Sequence, residues 1–322
     1  MTTVVKIGGA RAVDPAGALS DVATLVGARS APEQTSGGRS DPRDDEDGER
    51  VTVVHGGSTA VDETLERLGM DPEYVETPSG VVGRFTDEAT MEVFEMVFGH
   101  LNTQLVAGLQ TLDVDAVGLN GVDGKLLYGP RKSAVRVVED GKRKIRRGDH
   151  SGSIKQVNAE LLETLLADGY TPVASPPMAG ADEDGVTPVN TDADRSAAHI
   201  AGALDATLVL LTDVEGIYAD PDDPATLIES VETPAEWTEL EDAAEGFMGR
   251  KVMAIEEALT GGADEVVVAD ANADDPILSA LDGGGTHVYA SALENGDASA
   301  DDGAPTDDAD ADESESDTSE EE

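Results

Sequence analysis

Two short β-branched runs stop abruptly at paired glycines, and this recurrence constrains the fold more than any other feature. The first is Thr3-Val4-Val5-Lys6-Ile7-Gly8-Gly9, and the second is Val51-Thr52-Val53-Val54-His55-Gly56-Gly57-Ser58. Read as adjacent parallel strands, they place glycines at the strand C-termini, where backbone N–H groups can approach a phosphate closely. Lys6, inside the first run, sets a fixed positive charge beside them. The pairing implies phosphoryl transfer.

The remaining pattern alternates strand and helix. Helical periodicity covers Gly17 to Arg29, Val61 to Leu68, Thr86 to Leu109, Asn158 to Leu166, Ser196 to Leu204 and Arg250 to Leu259. Ser58 is expected to cap the second of these, and Asp87 and Glu88 occupy the first turn of the third. Strands are expected at Ala116–Leu119, Thr171–Ala174, Thr207–Leu211 and Val266–Ala269, with Gly283-Gly284-Gly285 a turn before a terminal strand. Such alternation argues for a mostly parallel, covered sheet.

With 322 residues and 39% hydrophobic content the chain can bury a sizeable core. Lys and Arg total 21 against 68 Asp and Glu, a formal net charge of -47. In a chain so clearly patterned, that excess with only 3% aromatics fits a folded protein adapted to high salt, and its field disfavours nonspecific nucleic-acid binding. The absence of cysteine excludes disulfides and thiolate metal sites. No apolar stretch approaches the roughly 20 residues of a membrane span, and no basic-then-apolar leader opens the chain, so a cytoplasmic location is expected. Residues 30–50, rich in Gly, Pro, Ser and acid, read as a lengthened surface loop; residues 293–322 read as a disordered acidic tail.

Six motifs in order then carry a resemblance: Lys6-Ile7-Gly8-Gly9, His55-Gly56-Gly57, Arg84-Phe85-Thr86-Asp87, Asn190-Thr191-Asp192-Ala193-Asp194, Leu210 to Tyr218, and Gly246-Phe247-Met248-Gly249-Arg250-Lys251. The chain resembles the amino-acid kinase family, most closely its acetylglutamate kinase branch. Thr77-Pro78-Ser79-Gly80 leading into Arg84-Phe85-Thr86-Asp87 is similar to the kinases acting on glutamate or 2-aminoadipate attached to the small carrier protein LysW. Two departures stand out. Ser58 replaces a usual third glycine, which also fits the carrier-linked branch, and Phe247 occupies a position that is often glycine.

The resemblance implies a three-layer αβα sandwich of the carbamate kinase-like type. It implies an amino-acid lobe over residues 1–175 and an ATP lobe over 176–292. It implies Lys6, Lys251 and Asp194 as the catalytic set, the two lysines relieving repulsion between anions and Asp194 orienting them. It assigns Gly56, Gly57, Arg84 and Asn190 to the amino acid, with Arg84 offering a planar fork to its α-carboxylate. Gly8, Gly9, Thr212, Asp213, Tyr218 and Met248 fall to the nucleotide. The acceptor carboxylate is already ionised at neutral pH, so no general base is needed; magnesium would be held by ATP phosphates and water, with no protein-built metal site. Free N-acetylglutamate is the alternative acceptor, and a non-catalytic nucleotide- or amino-acid-binding regulator is the alternative of another class.

One segment reverses the sign of the chain. Arg131, Lys132, Arg136, Lys142, Arg143, Lys144, Arg146 and Arg147 are eight of its 21 basic residues, on an expected two-stranded excursion turning at Asp140-Gly141. A free amino acid needs no such patch, whereas an acidic carrier does. The chain also lacks the extra N-terminal helix of family members that form arginine-inhibited hexamers, so a homodimer is expected.

Overall fold

The computed structural model describes residues 1–8, 14–27, 49–78, 82–139, 142–183, 185–243 and 247–294. Gly9, most of the 30–50 loop, Ser79-Gly80, the turn at Asp140-Gly141, Gly246 and nearly all of the acidic tail lie outside these residues. Along the chain run β1 (Thr2–Ile7), α1 (Pro15–Gly27), β2 (Arg50–His55), α2 (Ser58–Arg67), β3 (Tyr74–Glu76), β4 (Val82–Arg84), α3 (Glu88–Thr111) and β5 (Ala116–Gly121). Then come β6 (Leu127–Glu139), β7 (Lys142–Gly152), β8 (Gln156–Val157), α4 (Ala159–Ala167), β9 (Thr171–Asp182), β10 (Gly185–Val189), α5 (Ala193–Ala203) and β11 (Thr207–Thr212). The last are β12 (Ser230–Val231), α6 (Pro234–Ala243), α7 (Phe247–Thr260), β13 (Glu265–Asp270), α8 (Pro276–Leu281) and β14 (Thr286–Tyr289).

The main sheet has the order β12-β14-β13-β11-β1-β2-β9-β6-β7, with β5 and β10 also pairing β9, and β8 pairing β6. Its centre is parallel: β1 lies between β2 and β11, and β13, β5 and β6 extend the same sense. Alternation within the strands explains the layers. Val4, Leu208, Leu210, Val266 and Val268 join residues of α4, α5, α6 and α7 in one core. Val5, Val209, Leu211 and Val267 join α1, α3 and α8 in the other. Both faces of the sheet are therefore buried, which is why its strands read as unbroken apolar runs. The αβα sandwich expected from the sequence is the observed architecture.

One expectation is corrected. Ser58 is not the cap of α2: Gly57 holds that position, with no side-chain cap bond. The 175/176 boundary lies within β9, whose single run Thr171–Asp182 pairs with β2, β5 and β6 and then with β10, so this strand runs through both expected lobes.

Candidate active site

Strand parity fixes the first member. Lys6 points to the same face as Val4, the side covered by α5 and α7, and is 6% exposed. Asp192 caps α5, its Oδ1 accepting from the Asp194 and Arg195 amides at 2.9 and 3.1 Å, which sets Asp194 in the first helical turn. One Asp194 oxygen, Oδ1, lies 2.6 Å from Lys6 Nζ, and Oδ2 accepts from Lys251 Nζ of α7 at 3.2 Å. Burial pushes the Asp194 carboxyl up, but the two ammonium groups outweigh it and hold its pKa at about 2. The carboxylate is thus a fixed anion bridging two cations, suited to orienting them and not to taking a proton at neutral pH.

The two helices that bring Asp194 and Lys251 together are themselves locked. Arg195 Nε donates to both Glu257 oxygens, at 3.0 and 2.8 Å, from α5 to α7. A Cβ on Gly202 would fall 2.9 Å from Gly261 Cα, so the backbones meet with no room for a side chain.

A second group forms at the ends of β2 and β4. Gly57 packs against α3, where a Cβ would meet Leu101 Cδ1 at 2.7 Å. Gly56 is spent differently from the expectation: its N–H donates to the Ile7 carbonyl at 3.2 Å, so it ties β2 to β1 instead of offering a free donor. His55, just before it, is buried neutral; desolvation lowers its pKa to about 4. Its Nδ1 bonds the Gly56 carbonyl at 3.1 Å, and its Nε2 accepts from Asn102 Nδ2 at 3.3 Å. Arg84 Nη2 donates to the Ser58 carbonyl, the Ser58 hydroxyl and the Tyr74 hydroxyl at 2.9, 2.8 and 3.1 Å, while Nη1 lies 2.8 Å from Asp62 Oδ1. Asn190 Nδ2 donates to Thr86 Oγ1 at 3.0 Å. Sequence reading named Arg84 and Asn190 but missed Asp62, Ser58, Tyr74 and Thr86 as their partners; Asp62 stands four residues after Ser58 on α2, a helical-face signal that was available.

Gly8 directly follows β1, and Thr212 ends the neighbouring β11, with its hydroxyl donating to Asp213 at 3.2 Å. Tyr218 donates to Glu215 at 3.0 Å, and Met248 packs on the core beneath α7. A cavity of about 360 Å³ between α3 and the ends of β5 and β9, lined among others by Glu95, Asn102 and Asn120, includes none of the expected site residues.

The basic segment is a β6–β7 hairpin whose eight cations do not act alike. Arg131 pairs with Asp182 and lies 3.0 Å from His150 Nε2. Arg146 pairs with Glu73 and covers the Phe85 ring at 4.2 Å. Both are held by acidic partners of the chain itself. The register pairs Arg136 with Ile145, Ala134 with Arg147 and Val138 with Arg143, placing these side chains on one face. There Arg136, Arg143 and Arg147 are exposed and Ile145 is 67% exposed. Lys132, Lys142 and Lys144 are also exposed.

A family model for the amino acid kinases matches residues 1–270. The chain belongs to the amino acid kinase family. Within it, the chain is 45% identical over 243 residues to LysW-aminoadipate kinase of Deinococcus radiodurans, covering 75% of this chain and 82% of the relative. It is 40% identical over 292 residues to LysW-aminoadipate kinase of Thermus thermophilus, covering 88% and 99%. An acetylglutamate kinase of Methanopyrus kandleri is 43% identical over 240 residues, covering 73% and 89%. Among solved structures, N-acetylglutamate synthase of Neisseria gonorrhoeae, complexed with coenzyme A and N-acetyl-glutamate, superposes with a TM-score of 0.65 at 25% identity. That match covers 89% of this chain and 59% of the synthase chain. This family member is a phosphotransferase acting on a carboxyl group.

Proposed function

We propose that this kinase phosphorylates the side-chain carboxylate of glutamate or 2-aminoadipate carried on a LysW-type protein, with ATP and magnesium, giving an acyl phosphate in arginine or lysine biosynthesis. The observation that carries the reading is the convergence of two lysines on one buried aspartate. Phosphoryl transfer to a carboxylate brings two anions together, and its barrier falls when fixed positive charge meets the equatorial oxygens in a water-poor site. Lys6, on the central strand, faces the transferred group near the acceptor. Lys251 reaches the nucleotide phosphates from the first turns of α7. Asp194 keeps both ammonium groups in place without removing a proton. Gly8 and Gly9 offer amides to the phosphates, and Thr212, Asp213, Tyr218 and Met248 line the nucleotide side. Gly57, Arg84 and Asn190 hold the amino acid. The cationic cluster fits a magnesium nucleotide, with the ion held by phosphates and water, and no step is assigned to a protein-bound metal.

The acceptor is carrier-linked because the outer hairpin face offers Arg136, Arg143 and Arg147 around exposed Ile145, in a chain of net charge -47. Charged arms about an apolar centre fit an acidic protein better than a free amino acid. The similarity to an acetylglutamate kinase keeps free N-acetylglutamate as the second reading. The same proposal places the enzyme as a homodimer in a high-salt cytoplasm, which sedimentation across salt concentrations tests. Hydroxylamine trapping of the acyl phosphate in molar KCl decides the acceptor. Product from carrier-linked glutamate or aminoadipate alone supports the carrier kinase; equal or better turnover of N-acetylglutamate overturns it.

A further inference from the structure

Strand β7 contains a feature that the phosphoryl chemistry leaves unused. Its pairing with β6 jumps from Ala134↔Arg147 to Lys132↔Ser151, so Gly148, Asp149 and His150 oppose Ser133 alone. Gly148 sits at φ +89, the left-handed region, within this bulge. Bulges re-aim side chains, and here the result is a buried carboxylate: Asp149 is 2% exposed. Its Oδ1 accepts from the Thr86 amide at 3.3 Å, and its Oδ2 from the Ser151 hydroxyl. Both donors are neutral. Among the described residues no cation pairs with it, and a buried carboxylate held by neutral donors is costly, where apolar packing would serve stability as well.

Its surroundings show what it holds. The His150 amide donates to the Thr86 carbonyl at 2.7 Å, and the His150 carbonyl accepts from the Asn190 amide at 2.7 Å. The Gly152 amide donates to the Asn190 carbonyl at 2.9 Å. Asn190 Nδ2 in turn donates to Thr86 Oγ1 at 3.0 Å. The bulge therefore stitches together the segment that follows Arg84 and Asn190, the residue assigned to the amino acid. Thr86 is wholly buried, so its hydroxyl can orient Asn190 only if its backbone stays where Asp149 and His150 hold it.

We propose that Asp149 is a positioning residue for the acceptor, acting through Thr86 on the Asn190 side chain. The proposal rests on the reading of Asn190 as an acceptor ligand. Its consequence is that the hairpin strand belongs to the acceptor site as well as to the docking face.

The test measures KM for carrier-linked aminoadipate and for ATP separately in Asp149→Ala, Asp149→Asn, Thr86→Val and Asn190→Ala. Asp149→Ala is expected to raise acceptor KM about tenfold while ATP KM stays within about twofold, the pattern of lost binding on one side only. Asp149→Asn, which keeps the shape and one acceptor oxygen, is expected to restore most of it. Thr86→Val, which removes only the oxygen that Asn190 donates to, should reproduce the acceptor-only effect even if Asp149→Ala fails to fold. Equal rises in both KM values, or an unchanged acceptor KM in Thr86→Val, overturns the positioning role. If Asn190→Ala raises acceptor KM and the other variants do not, the functional reading stands and the positioning proposal falls. If Asn190→Ala leaves acceptor KM unchanged, the reading of Asn190 fails and takes the proposal with it.

Discussion

Asp62 anchors Arg84: a carboxylate oxygen of the first lies 2.8 Å from Nη1 of the second, and the Arg84 side chain is only 5% exposed. The guanidinium is therefore oriented before any ligand arrives, with Tyr74 and Ser58 fixing Nη2. Pre-organisation of this kind lowers the cost of binding a carboxylate. Asp62→Asn is expected to raise acceptor KM about three- to tenfold with ATP KM unchanged, measured by steady-state kinetics.

The cationic cluster makes the strongest claim on rate. Lys6→Ala, Lys251→Ala and Asp194→Asn are each expected to lower kcat by about a hundredfold or more, the usual loss when one pre-set electrostatic contact to a transition state is removed. Lys251→Ala should also weaken nucleotide binding, read by calorimetry, whereas Lys6→Ala should not. Because Asp194 has its pKa at about 2, its carboxylate stays charged far into acid. The stability it contributes is present above the ordinary carboxyl value of 3.8 and is lost only as pH falls toward 2.

His55 acts in the same sense at higher pH. Its pKa is about 4 in the fold against 6.5 when exposed, so between those values the unfolded chain binds the extra proton. Stability is expected to fall as pH drops from 6.5 toward 4, with a contribution of up to about 1.4 kcal/mol per pH unit from this group. Denaturation midpoints at several pH values, compared between wild type and His55→Gln, should show a shallower slope in the variant.

On the hairpin, reversing charge at the outward-facing Arg136, Arg143 and Arg147 should raise KM for the carrier-linked acceptor strongly and leave ATP KM unchanged. The effect should shrink with added salt, since exposed pairs are screened. A rise in ATP KM of the same size would show that these substitutions disturb the whole enzyme.

Asp21 offers a test of the other layer. This residue of α1 is 1% exposed and accepts from the first amides of α8, Ile277 at 2.7 Å and Leu278 at 3.2 Å, doing from a distance what Asp275 does not do locally. Asp21→Ala leaves those donors unpaired and should cost about 1–3 kcal/mol in chemical denaturation, with little change in kcat.

The chemistry of the site was more legible than its support. Lys6 could be placed because alternation along an apolar strand is a local property, and Asp194 and Lys251 because each lies in an ordered motif. Asp62, Tyr74 and Thr86 were not legible as partners, since their roles depend on how α2, the β3–β4 hairpin and β7 meet in space. The three-residue strands β3 and β4 are too short to carry a period of their own. Charge counting found the basic segment, yet it could not separate the acid-paired Arg131 and Arg146 from the outward Arg136, Arg143 and Arg147. Strand alternation makes the separation that charge counting does not: Arg146 is out of phase with Arg143 and Arg147 on β7, and Arg131 with Arg136 on β6. Ser58 was expected as a cap because Ser is a favoured one; the tight approach of Phe98 and Leu101 to Gly57 gave that position to the glycine.

The central place of β1 also governs how this protein is made. Residues 2–7 cannot complete their pairing until residues 207–212 exist to lie beside them, because β11 is the partner on one flank. This buried strand must therefore wait, one edge bare, until about 200 further residues have been made. Long-range closure of that kind slows folding and leaves an adhesive edge during the wait. A surface that repels its neighbours guards against that interval, so the heavy negative charge serves the nascent chain as well as the finished enzyme.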